Sequence, residues 1–223
     1  EPGKGTTNST ALARARLSDD LKQLQDMKVI FSQQPKVSST AHFGCRIVER
    51  QVNGKPDGTL LLTLGERFSR RDDAQTLDNH HGKIVRVGKD GSVPKDNPFV
   101  GKAGALPEIW SYGHRNSQGA TLAPDGSLWT HEHGAQGGDE INRPEPGKNY
   151  GWPQVSFGVN YGGSPIGTGK SSGPGFEPPL HHWTPSIAPS GMAFLTSDRY
   201  GAAWKRNLFV GSLKFQYLDR IEL

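Results

Sequence analysis

Three groups of residues between Tyr112 and Pro153 can do chemistry together. Arg115-Asn116 sets a planar guanidinium fork beside an amide, a donor pair suited to a ligand that carries carboxylates. Glu132-His133-Gly134-Ala135 closes a strand-like run in a glycine-containing loop, whose bare backbone carbonyls can ligate a hard cation such as Ca2+. Gly138-Asp139-Glu140, followed by Asn149-Tyr150-Gly151-Trp152-Pro153, joins carboxylates to nearby loop carbonyls and is again an oxygen-ligand pattern. His131 and His133 alternate with Glu132 and so share one strand face, which invites zinc. No third ligand follows at a suitable spacing, and the adjacent pairs His80-His81 and His181-His182 point apart on a strand.

The elements that must carry these groups read as short strands. Apolar runs at Met27–Ser32, Phe43–Arg50, Gly58–Leu64, Lys83–Val87, Glu108–Tyr112, Ser127–His133, Gly191–Leu195 and Asn207–Lys214 are each bounded by Gly, Pro, Asp or Asn. Only Asp19–Asp26 has a helical look, and residues 1–11 are polar and expected to be flexible. One turn-and-strand unit occurs twice. Pro56-Asp57-Gly58-Thr59-Leu60 leads to Leu64-Gly65-Glu66, and Pro124-Asp125-Gly126-Ser127-Leu128 leads to His133-Gly134. The Asp-Gly pairs are expected at the hairpin turns, where φ must be positive. Asn207–Gly211 is a weaker third copy. Repeats of about 40–50 residues predict an all-β propeller of four-stranded antiparallel blades, with about four to five blades in this length. A β-sandwich is the competing architecture.

Composition agrees. Glycine (29) and proline (16) are abundant, the apolar fraction of 33% is low for a packed helical protein, and aromatics recur inside the strand-like runs. That excludes collagen and argues against disorder, leaving a turn-rich all-β chain whose length suits one large domain or two small ones; it is expected to be one domain over residues 1–223. The single cysteine, Cys45, excludes an intrachain disulfide and reads as a small buried hydrophobe. No run of about 18 apolar residues occurs and no signal peptide is read. The net charge of +4 is scattered. Its one dense knot, Arg67, Arg70 and Arg71, precedes Asp72-Asp73 and reads as local charge pairing, so nucleic acid and membrane insertion are not expected.

Taken together, His42-Phe43-Gly44 with Arg46, Gly82–Arg86, Gly113–Gly119, Glu132–Asn142, Asn149–Pro153 and Ser212-Leu213-Lys214 resemble the soluble aldose (glucose) dehydrogenases that use pyrroloquinoline quinone. The resemblance runs from about Arg14 to Leu223. It implies a six-bladed β-propeller and an oxidoreductase that takes aldose sugars to lactones and passes electrons to a small acceptor or dye. It also implies a periplasmic or secreted location and a monomer or homodimer. On this resemblance His42 is the general base, a role histidine commonly fills, and Glu66 is the acid that orients it. Arg115, Asn116 and Lys214 contact the quinone cofactor, with Ser186 a further contact. Gly134 and Ala135 supply backbone ligands to a catalytic Ca2+, and Glu140 with the Tyr150 carbonyl holds a structural one. Trp183 is a candidate wall of the sugar pocket. Many relatives carry Pro where Ala135 stands, and some carry Asp where Glu66 stands. The resemblance also places a first and a last blade, with cofactor-clamping arginines, outside these residues, so the segment alone is expected to bind cofactor poorly. Two other classes remain: a Ca2+-dependent propeller lactonase, which would use side-chain ligands in a central channel, and a non-catalytic binding propeller, which would lack the base.

Overall fold

The computed structural model describes residues 1–223. Thirteen strands form four antiparallel sheets, each a meander of neighbours in sequence. The first sheet pairs β1 (Ala11–Leu17) with β2 (Leu24–Ser32). The second runs β3 (Gly44–Val52), β4 (Lys55–Leu64), β5 (Lys83–Gly88) and β6 (Ile109–Tyr112). The third runs β7 (Ser117–Leu122), β8 (Leu128–Glu132), β9 (Asp139–Asn142) and β10 (His181–Trp183). The fourth holds β11 (Pro189–Phe194), β12 (Leu208–Ser212) and β13 (Leu218–Ile221). The first strands of successive sheets, β3, β7 and β11, lie side by side, so the sheets follow one another around their leading strands.

Period-two alternation fills the space between sheets. On β4, Leu62 and Leu64 face the first sheet and meet Leu12, Ile30 and Phe31, together with Val85 and Val87 of β5. Leu61 and Ile84 face the other way, onto Trp110 and Leu128. Between the third and fourth sheets, Ile141, Trp183, Ile187, Leu208 and Val210 form the next layer. Each layer therefore takes strands from two sheets, which fixes how neighbouring sheets sit and where their end loops meet.

Several expectations are corrected. Residues 1–11 are tied down: Asn8 bridges to Pro2 and to Val37, and Ser9 and Thr10 are buried. Asp19–Asp26 is no helix. Ser18 Oγ accepts from the Lys22 and Gln23 backbone amides, closing a turn, and β2 begins at Leu24. Asp57-Gly58 lies inside β4, and the chain reverses at Asn53-Gly54, both at positive φ, between the paired residues Val52 and Lys55. Asp57 Oδ1 accepts from the Thr59 amide and hydroxyl, a local turn of the side chain that competes with reversal of the backbone. Cys45 is exposed, because its strand β3 buries none of its residues fully and leaves Cys45–Ile47 open. Arg67 does not pair with the nearby aspartates. It is fully buried and donates to the carbonyls of Asn8, Ser39 and Ala41 and to Asn8 Oδ1. Arg70 and Arg71 do pair locally, with Asp73 and Asp72.

Candidate active site

The segment that enters β3 and the loops that leave β4, β6 and β8 converge. His42, just before β3, has its ring Nδ1 2.8 Å from Glu66 Oε1, just after β4. Glu66 is 1% exposed, and this is its one side-chain bond; Oε2 is buried without a partner. A carboxylate accepts only, so Nδ1 carries the proton and Nε2 is left free to take one. The turn is held from behind. Arg115 O accepts the Glu66 amide at 2.9 Å, and Asn116 Oδ1 accepts the Gly44 amide at 3.1 Å. Gly65 is required there: a Cβ would lie 2.1 Å from His42 O and 3.0 Å from Asn116 Oδ1.

Arg115 is also buried. Its Nη1 donates to the carbonyls of His133 (2.9 Å) and Gly134 (2.6 Å), and its Nη2 reaches the Tyr161 hydroxyl at 3.2 Å. The guanidinium lies over the Trp152 ring at 5.2 Å, and Nε is buried without a partner. The Gly134 loop folds back so closely that a Cβ at Gly134 would lie 2.1 Å from Gly137 O.

Beneath Arg115 lies a cavity lined by Glu132, Glu140, Tyr150 and Gly134, with room for about one water-sized guest. Glu132 and Glu140 stand opposite each other across the β8–β9 ladder, where like charges destabilise. Burial works against charge on Glu132, but bonds from His114 and from the Arg115 and Asn116 amides outweigh it and hold the carboxyl below its usual range. Burial, and then the charge of Glu132, push Glu140 well above its own. Asn142 Nδ2 donates to both carboxylates (3.0 and 3.3 Å), while its Oδ1 is buried and unpartnered. The cavity thus holds an excess of oxygen acceptors over donors. No group of three or more His, Cys, Asp or Glu comes together as a metal site. His131 and His133 instead bond the carbonyls of Ser190 and Pro189.

Asp139, fully buried, links this region to the fourth sheet. Its Oδ1 accepts the Gly134 amide at 2.8 Å, and Oδ2 accepts from Ser186 Oγ (2.7 Å) and the amides of Ile187 and Ala188 (2.8 and 2.9 Å). Ile187 O in turn accepts the Lys214 amide at 3.2 Å.

The structure therefore brings His42, Glu66, Arg115 and Asn116 into one bonded group, with Gly134, Glu140 and Tyr150 around the adjoining cavity. Ala135 continues the Gly134 loop and packs against the cluster of Ala74, Trp152 and Ile166. Ser186 is committed to Asp139, and Lys214 is exposed with its ammonium over Phe215, touching none of that group. Trp183 packs in the core and bonds Asp219, and the groove it borders, shared with His181, His182 and Phe215, is separate from the His42 group. Sequence reasoning missed Glu132 as a cavity oxygen, Asn142 as the amide joining it to Glu140, and Asp139 as the brace. Their signal was present in Glu132–Asn142, where acidic and amide side chains crowd two short strands.

The site is thus a carboxylate-held histidine and an oxygen-lined cavity at the loop ends of an all-β frame of antiparallel meanders. The chain belongs to the glucose/sorbosone dehydrogenase family, whose model matches residues 1–223. It is 46% identical over 216 residues to the aldose sugar dehydrogenase YliI of Escherichia coli (strain K12), covering 96% of this chain and 56% of that protein. It superposes on a crystal structure of a glucose dehydrogenase with a TM-score of 0.93 at 48% identity, covering all of this chain and 63% of the other. The PQQ-bound aldose sugar dehydrogenase from Streptomyces coelicolor matches with a TM-score of 0.73 at 29% identity, over 96% of this chain and 55% of the other. The chain thus spans a little over half the length of the relatives it matches.

Proposed function

We propose that this chain forms the greater part of a quinoprotein oxidoreductase that oxidises the C1 hydroxyl of aldose sugars to lactones. The observation that carries the reading is the 2.8 Å pair of His42 and buried Glu66, set beside Arg115 and Asn116. His42 Nε2 takes the C1 hydroxyl proton as hydride leaves C1, so the sugar loses one hydride and one proton. Glu66 fixes the tautomer and stabilises the imidazolium that results. Pyrroloquinoline quinone, when bound, supplies the two-electron acceptor, and Ca2+ supplies a Lewis acid beside it.

The residues fit both groups. Arg115 Nε and Glu66 Oε2 are buried and unpartnered next to the base, as expected where a polar ligand completes the site. Arg115 and Asn116 would hold the cofactor, with Lys214 and Ser186 as further contacts; Ser186 would have to share its bond to Asp139, and the exposed Lys214 side chain is free to swing. Gly134 and Ala135 would offer carbonyls to the catalytic Ca2+; at Gly134 that ion must share or displace Arg115. Glu140 and the Tyr150 carbonyl would hold the second Ca2+, and the unpartnered Asn142 Oδ1 and paired Glu132 support a cation there.

The architecture proposed is a single six-bladed propeller domain, supported by sheets that follow one another around β3, β7 and β11. Electrons pass to a small acceptor or dye, the protein is periplasmic or secreted, and it is a monomer or homodimer. The test is dye reduction with glucose after reconstitution with pyrroloquinoline quinone and Ca2+, each also omitted in turn. Turnover that needs both is the expected result; turnover indifferent to the quinone would end the reading.

A further inference from the structure

Beside the base stands an aromatic that the fold holds in the open at a cost. Phe68 is 52% exposed, and both it and Arg67 are in the left-handed region, at φ 62° and 65°. Two successive non-glycine residues there are strained and persist only when their surroundings overdetermine them. The anchor is Arg67, whose buried guanidinium is fixed by Asn8, Ser39 and Ala41 and covers the Phe43 ring at 4.0 Å. A buried arginine thus clamps a turn whose visible product is a phenyl ring edge-on to His42, centroids 5.2 Å apart at 82°. Across the opening, Tyr161 is 63% exposed and tilted 33° to Phe68 at 6.4 Å. Its hydroxyl is tied to Arg115, and its neighbour Asn160 accepts from Arg71 Nη1 at 3.1 Å, so the two loops are fastened to each other. Scattered exposed aromatics need no explanation. Two that flank the base, one on a strained turn and one bonded to the site's guanidinium, do.

We infer that Phe68 and Tyr161 form the platform that receives the C–H face of an aldopyranose and turns its C1 toward His42. This rests on the sugar dehydrogenase reading and adds the residues that set substrate affinity. A pyranose presents axial C–H groups on one face and hydroxyls at its edge. The negative faces of aromatic rings attract the former, and the latter are left for His42 and Arg115. Phe68 and Tyr161 act here as binding residues, not as proton carriers.

The test uses the reconstituted protein with Phe68→Gly, Tyr161→Ala and Tyr161→Phe. Glycine removes the ring and relieves the left-handed backbone, so Phe68→Gly should melt no lower than the parent. With glucose, KM should rise about tenfold in Phe68→Gly and in Tyr161→Ala, the scale of one aromatic contact, and by more than kcat falls. Tyr161→Phe should keep most of the affinity. Methyl β-D-glucopyranoside has no free C1 hydroxyl and cannot turn over, so its binding is read separately by saturation-transfer NMR. Transfer to its axial ring protons should be clear in the parent and largely lost in Phe68→Gly. Unchanged KM in Phe68→Gly and Tyr161→Ala, or unchanged saturation transfer in Phe68→Gly, overturns the platform. Absent turnover in the parent with that transfer pattern intact would sink the dehydrogenase reading and leave the platform standing.

Discussion

Glu66→Gln isolates what the buried carboxylate does for His42. The substitution keeps shape and keeps an oxygen near Nδ1, but removes the charge that would balance an imidazolium. The His42–Glu66 contact is 2.8 Å, and Glu66 makes no other side-chain bond. Hydrogen bonds to charged groups contribute about 1.5–3 kcal/mol. If the imidazolium forms in the rate-limiting step, a loss of about 2 kcal/mol there slows it by about 30-fold. Stability should move the other way or not at all, because a buried charge with one unpartnered oxygen is replaced by a neutral amide. The assay is dye reduction with glucose, giving kcat and KM, beside a thermal melt of the same sample. A kcat within about threefold of the parent would refute the reasoning. So would a melting temperature that falls along with activity, since the carboxylate would then be part of the scaffold.

Three further outcomes follow from the same geometry. Lys83 is fully buried and donates to the carbonyls of Asp73, Ala74 and His81, so Lys83→Met should cost about 3 kcal/mol by denaturant unfolding, through acceptors left unsatisfied. Burial also draws Lys83 down to about 7, against the pull of Asp73 and Asp78. The unfolded chain therefore binds the extra proton between about pH 7 and 10, and stability should rise with pH by up to about 1.4 kcal/mol per unit relative to Lys83→Met; parallel pH profiles would contradict this. Adding Ca2+ should raise the melting temperature, by the equivalent of about 2.7 kcal/mol at 100 times Kd, and Glu140→Gln should remove most of that gain; no Ca2+ shift in the parent would remove the cavity's assignment. Cys45 should react fully with a thiol reagent in the native protein, since its side chain is exposed; reaction only after denaturation would place it in the core.

Much of the frame was legible in the sequence because alternation marks strands packed on both faces, as in Leu60–Leu64 and Lys83–Val87. The leading strand β7, SQGATL, was expected after Arg115-Asn116 but could not be bounded, because it carries polar and small residues where sheets meet each other rather than a core layer. Cys45 was misplaced because residue type says nothing of which face a strand turns outward. Asp57-Gly58 was read as a hairpin because the dipeptide permits one. Asn53-Gly54 lies four residues earlier and makes the reversal first. At the site, His42, Arg115 and Asn116 stood out by type and resemblance, and the structure gathers them with Glu66. Asp139 and Arg67 stood out by type, as part of a ligand pattern and of a charge knot, but not as braces, since that role lies in how many backbone groups each one satisfies. That count appears only when distant loops have met.

The central claim is that His42 takes the C1 proton as hydride leaves the sugar. Its most direct measurement is anaerobic single-turnover mixing of glucose with the protein reconstituted with pyrroloquinoline quinone and Ca2+, following the absorbance of the quinone, for the parent and for His42→Ala. Both should bind the cofactor, and its reduction should be at least about 100-fold slower in His42→Ala, the contribution typical of a positioned general base. Reduction at the parental rate in His42→Ala would contradict it, and would move the base elsewhere in the site.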